Sequence, residues 1–159
     1  MPFRELTRKN KALTAEECLE LLRSEKRGVL SVIGDGGYPY ATPMNHYYCD
    51  EDGKLYFHCG RLGHRLDSLR ADGRACFCCT EAGTPIPCSW ALQVKSVIVF
   101  GRVGIVDDRE RVVQIAMRLS RKFTDDEDYI RDEIVRSAAA TLLLVMTPEH
   151  ISGKMVKES

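Results

Sequence analysis

The sequence predicts a mainly β (α+β) fold, a small antiparallel barrel with flanking helices, and three observations predict it. Three β-rich runs at residues 29–33, 38–48 and 54–59 are joined by tight turns at 34–37 (GDGG) and 50–53 (DEDG), which makes an antiparallel meander. The run 89–106 is too long for an ordinary strand and carries Gly101 and Gly104 as bend or bulge points, so one long bent strand closes the barrel. Strands and helices do not alternate regularly, which disfavours a doubly wound nucleotide fold.

The elements follow in order. Thr14 with Glu17 three residues later forms a capping-box pattern, and Cys18, Leu21 and Leu22 recur at helical spacing, which predicts a helix over 15–24. Arg27 and Gly28 break it before the strand at 29–33. Pro39 and Pro43 cannot donate to a ladder, so the strand 38–48 is expected to be kinked, bulged or at an edge. A short helix over 63–71 leads to a strand in RACFCCTE, then to an irregular loop at 83–87 held by two prolines. Asp107 and Asp108 open a helix with Val112, Ile115, Ala116 and Leu119 on one face. A second acidic cluster, 125–128, begins another that runs towards Arg136. Residues 139–147 read as a buried strand stopped by Pro148, and 150–154 as a short tail.

Length and composition set the class. The 159 residues form a single domain, 1–159, large enough to bury a core without staples. Lys plus Arg and Asp plus Glu each number 23, so the chain lacks the basic excess of a nucleic-acid binder and leaves self-association open. The first fourteen residues carry no apolar segment, and the apolar run 138–146 is too short to span a bilayer, so no membrane association is expected. Seven cysteines, an odd number, read as reduced thiols in a cytoplasmic protein.

Candidate chemistry concentrates at residues 55–70, LYFHCGRLGHRLDSLR. A strand leaves through His58, a glycine turn carries Arg61, and a basic helix begins with His64 and Arg65. Unpaired N–H groups at a helix start and cationic side chains beside them suit an anion, above all a phosphate. On the residues alone, a solvated helix face explains Arg61, His64 and Arg65 equally well. The 34–37 glycines lack dinucleotide-loop spacing and sit between strands. Cys76, Cys78 and Cys79 lack the paired spacing of a zinc site, and His46, His58, His64 and His150 do not converge by spacing, so no metal site is expected.

Read together, YPYATPMNHYY, LYFHCGRLGHRLDSLR, SWALQVKSVIVFGRVGIV and HISGKMV resemble the pyridoxamine 5'-phosphate oxidase-like FMN-binding split-barrel flavoproteins, and within them the nitroimidazole-resistance (Nim) branch. The resemblance covers about residues 27–156. It implies a six-stranded antiparallel split β-barrel that forms a homodimer with FMN in clefts between protomers. It also implies an FMN-dependent oxidoreductase acting on small molecules such as nitro-aromatic compounds, with NAD(P)H or another electron donor. Carried over by position, Pro43, Met44 and Asn45 run along the isoalloxazine. His58, the candidate catalytic residue, and Cys59 sit beside it, and Arg61, His64 and Arg65 hold the phosphate. Trp90, Lys95 and Ser96 come partly from the other subunit. Tyr40, Met44, Tyr47 and Trp90 are suited to wall a flat ring, and Lys95 to raise its potential. The parent oxidases add a C-terminal arginine and histidine set for their vitamin substrate, and the ending GKMVKES lacks it. The superfamily also has haem and deazaflavin binders, so the alternative is a non-catalytic flavin- or haem-binding carrier of the same fold.

Overall fold

The hairpin that carries the candidate site forms first in sequence: β1 (Arg27–Ile33) and β2 (Pro39–Asn45) pair antiparallel, with Arg27 opposite Asn45 and Ile33 opposite Pro39. The remaining strands are β3 (Tyr47–Cys49), β4 (Lys54–Cys59), β5 (Arg74–Thr80), β6 (Thr84–Pro85), β7 (Leu92–Val106) and β8 (Leu142–Glu158). The helices are α1 (Ala15–Ser24), α2 (His64–Ala71), α3 (Arg109–Ser120) and α4 (Glu127–Ser137). This computed structural model describes residues 2–158. None of its helices is long and apolar enough to cross a membrane.

One antiparallel sheet runs in the order β2-β1-β5-β7-β8-β4-β3, with the two-residue β6 added to β7. Its two ends, β2 and β3, are separated in the chain only by His46. Counting them as one bent strand and setting β6 aside leaves the expected six strands, and the sheet curls into a split barrel. Leu30, Val32, Phe57, Phe77, Val97, Val99, Leu144 and Met146 fill the interior. Phe57 meets Phe77 edge-on, with centroids 5.2 Å apart.

The helices cover part of the barrel. The capping box starts α1: Glu17 N–H donates to Thr14 Oγ1 at 3.2 Å, and Thr14 N–H donates to Glu17 Oε2 at 2.9 Å. Cys18, Leu21 and Leu22 are then buried in the core, on the face the periodicity predicted. Val112 and Ile115 of α3 pack with Cys49, Tyr56 and Leu143 on the outside of β3, β4 and β8. Among the described residues no helix crosses the outside of β1, β5 and β7, where Val29 and Ile33 are exposed and Phe3 of the N-terminal segment stacks on Phe100.

β8 differs from the expectation of a stop at Pro148 and a short tail. It continues through Pro148 to Glu158 because the ladder slips there: Phe100 pairs with His150, whereas Gly101 pairs with Pro148. The missing proline N–H is absorbed by this bulge. Gly101 makes the close approach possible, since a Cβ there would lie 2.3 Å from Thr147 O. The long strand β7 begins at Leu92, not 89, because residues 89–91 belong to the turn after β6.

Candidate functional site

A recess of about 220 Å³ opens where β2 parts from β4, lined by Arg27, Pro43, Met44, Asn45, His58 and Arg65. Strand alternation explains its walls. Phe57 and Cys59 of β4 turn into the core, so His58 between them turns out. The β1–β2 register sets Arg27 across from Asn45, and α2 presents Arg65 from its second position. The lining holds two guanidinium groups and no carboxylate.

Arg65 Nη1 donates to Thr42 Oγ1 at 2.9 Å, which fixes the guanidinium against β2. Two buried polar atoms at this recess have no partner among the described residues: Arg65 Nε and Asn45 Oδ1. A buried polar group left unpaired costs about 1–3 kcal/mol, more when charged, and a bound ligand with acceptors and a donor would recover that cost. Crowding around the His58 ring pushes its pKa below the ordinary imidazole value, although the side chain is exposed on one side. At neutral pH it is therefore an uncharged imidazole, with one N–H donor and one acceptor. Burial pushes the Cys59 thiol up, opposed in part by Arg65, so it stays protonated.

The other sequence candidates lie elsewhere. Arg61 donates from Nη1 and Nη2 to Asp107 at 2.7 and 2.8 Å and from Nε to the Ala139 carbonyl at 2.9 Å. That pair holds the Asp107 carboxyl below its usual range and fastens the glycine turn to the segments flanking α3 and α4. His64 tilts against Tyr40 with centroids 4.1 Å apart, and its Nε2 accepts from Asp35 N–H at 3.4 Å, over the β1–β2 turn. Trp90 is 82% exposed on the approach to β7. Lys95 Nζ lies 3.6 Å from a Glu17 carboxylate oxygen on α1, and Ser96 is half-buried on β7 between Thr80 and Lys154. The single chain thus gathers Pro43, Met44, Asn45, His58 and Arg65, with Cys59 at the rim of the core. It does not bring Arg61, His64, Trp90, Lys95 or Ser96 into the recess.

Arg27 and Thr42 are the residues that sequence reasoning missed. Arg27 read only as a helix breaker. Extending the hairpin register back from the 34–37 turn pairs position 27 with 45 and would have found it.

A family model described as pyridoxamine 5'-phosphate oxidase matches residues 14–155. No curated protein matches the sequence. Among solved structures, a candidate 5-nitroimidazole antibiotic resistance protein from Bacteroides thetaiotaomicron is similar at a TM-score of 0.78 and 18% identity, over 92% of this chain and 87% of that one. An FAD-binding protein from Mesorhizobium loti is similar at 0.65 and 24%, over 92% and 97%. The flavocytochrome Anf3 from Azotobacter vinelandii is similar at 0.76 and 15%, over 96% and 72%.

Proposed function

Because the chain belongs to the pyridoxamine 5'-phosphate oxidase family, we propose that it is a flavoprotein that binds FMN in the recess between β2 and β4 and serves as a small-molecule oxidoreductase. One observation carries this reading: Arg65 and Asn45 each leave a buried polar atom without a partner, beside Arg27 and His58. Two guanidinium groups suit a phosphate, through bidentate charge-assisted bonds. Pro43 and Met44 offer an apolar wall to a flat ring, and neutral His58 a hydrogen-bond partner at its edge. When bound, the flavin supplies the redox chemistry, and the protein supplies position and polarity. The similarity to an FAD-binding protein and a flavocytochrome supports a flavin, and the similarity to a candidate nitroimidazole-resistance protein supports a nitro-aromatic substrate class.

The recess is open and small, and the second half of the cleft comes from another copy of the chain. The face of β1, β5, β7 and the C-terminal half of β8 supports this: among the described residues no helix crosses it, and only Phe3 of the N-terminal segment stacks on one side of it, against Phe100 and His150 at centroid distances of 5.5 and 5.0 Å. In register across it run Pro43, Val29, Cys78, Ile98 and Ser152, and beside them Ala41, Ser31, Cys76, Phe100 and His150. Val29 and Phe100 are both about 40% exposed, and Pro43 belongs to this face and to the recess alike. A face of this kind on a near-neutral chain favours a homodimer. Trp90, exposed in one chain, is available to the neighbouring cleft. The seven free cysteines support a reducing compartment, the cytoplasm.

The test is the visible spectrum of the purified protein, before and after adding FMN, followed by anaerobic titration with NADH and NADPH. A flavin absorption doublet that bleaches with a reductant is expected. A haem Soret band, or a colourless protein with no affinity for FMN, overturns the reading.

A further inference from the structure

Lys122 lies in the turn after α3, yet its ammonium bonds the main chain of two distant segments. Nζ donates to the Glu25 carbonyl at 2.5 Å and to the His46 carbonyl at 2.9 Å. Glu25 caps the end of α1 two residues before Arg27, and His46 directly follows Asn45. Arg27 and Asn45 face each other across the β1–β2 ladder and line the recess. Neighbouring bonds gather at the same place: His46 N–H donates to the Lys26 carbonyl at 3.3 Å, and His46 Nε2 lies 2.8 Å from the Leu22 carbonyl.

We propose that Lys122 is a positioning residue of the recess: by tying the α1–β1 turn to the β2–β3 bend, it fixes the spacing of Arg27 and Asn45. The flavin reading supplies the ligand for this inference, but the spacing itself does not depend on it. The bonds are charge-assisted and reach carbonyls that side chains of β1 and β2 do not satisfy. The titratable and charged groups around the ammonium are Glu25 and Lys26 from the α1–β1 turn, Cys79 from β5 and His46 from the bend. Burial pushes the ammonium down to about 8, so it is charged at neutral pH and loses its proton just above it. The helical hairpin, which touches no ligand in this account, thereby holds the entrance of the site from behind.

The experiment uses the full chain with Lys122→Met and Lys122→Arg, read by backbone hydrogen exchange without ligand and by FMN titration. In Lys122→Met, exchange of the amides at 26–28 and 44–47 rises about tenfold while the β7–β8 ladder is unchanged, and FMN binds about tenfold more weakly, the loss expected for charge-assisted bonds. Lys122→Arg, which keeps charge and donors, restores both. Unchanged exchange and affinity in Lys122→Met overturn the proposal. Equal defects in both variants, or faster exchange over the whole sheet, also overturn it, since they mark a general stabilising role. If Lys122→Met does not fold, FMN affinity between about pH 7 and about pH 9 decides, because only arginine stays charged throughout. Wild-type affinity falls with rising pH and Lys122→Arg affinity does not; parallel profiles overturn the proposal. A wild type that ignores FMN while the exchange pattern holds refutes the flavin reading and supports the positioning role.

Discussion

Arg65 is anchored to Thr42 by a 2.9 Å hydrogen bond, while its Nε is buried without a partner. One nitrogen is thus held by β2, and another has no partner among the described residues. Thr42→Val keeps the shape and removes the acceptor, so the guanidinium loses its fixed orientation. The expected effect is about 1 kcal/mol, roughly fivefold weaker FMN binding, with an unchanged melting temperature. Isothermal titration beside a thermal scan measures both; a lowered melting temperature with normal affinity would place the bond in folding instead.

The buried bend carries a pH dependence. His46 is fully buried, and burial first and Lys122 second push its pKa from 6.5 down to about 4. The unfolded chain therefore binds this proton more readily than the folded one between those two values. Stability is complete above about pH 6.5 and falls as the pH drops towards about 4, with a slope of up to about 1.4 kcal/mol per pH unit from this group. Urea unfolding across that window measures the slope. In His46→Gln, which keeps a donor for the Leu22 carbonyl, the slope is shallower by that amount.

Gly28 sits one residue after Arg27, and a Cβ there would fall 2.3 Å from Phe77 Cζ and 2.5 Å from the Cys78 carbonyl. Gly28→Ala forces the Phe77 ring and the β1–β5 ladder apart, an overpacking cost of about 1–3 kcal/mol. A thermal or denaturant midpoint measures it.

The sheet face around Val29 gives a further expectation. Val29→Glu places a carboxylate in the middle of it, 40% exposed in the single chain and clear of the interior. Burying that charge against a second copy without a partner is strongly unfavourable. Light scattering is expected to give the mass of one chain and FMN retention to fall with it; a stable dimer in this variant moves the interface to another face.

Much of this arrangement was legible because it rests on local patterns. The capping box at Thr14 and the spacing of Cys18, Leu21 and Leu22 fixed α1, and the two tight turns fixed the meander. Of the site, Pro43, Met44, Asn45, His58 and Arg65 came from the motifs that carried the family resemblance. What the sequence concealed lies in long-range register and in main-chain partners. Pro148 looked like a stop because the bulge that absorbs it depends on Gly101 in another strand. Arg61 looked like a ligand for phosphate, yet its donors meet Asp107 and Ala139 far along the chain. Lys122 carried no signal at all, since its acceptors are carbonyls.

The proposed flavin site turns on Arg65 holding the phosphate of FMN in the recess. Parallel titrations of Arg65→Ala and the wild type with FMN and with riboflavin test it most directly, because the two ligands differ only in the phosphate. FMN affinity is expected to be at least about tenfold lower in Arg65→Ala, the loss of one charge-assisted contact, with riboflavin affinity within about twofold of wild type. Equal losses for the two ligands, or no loss for either, would contradict it.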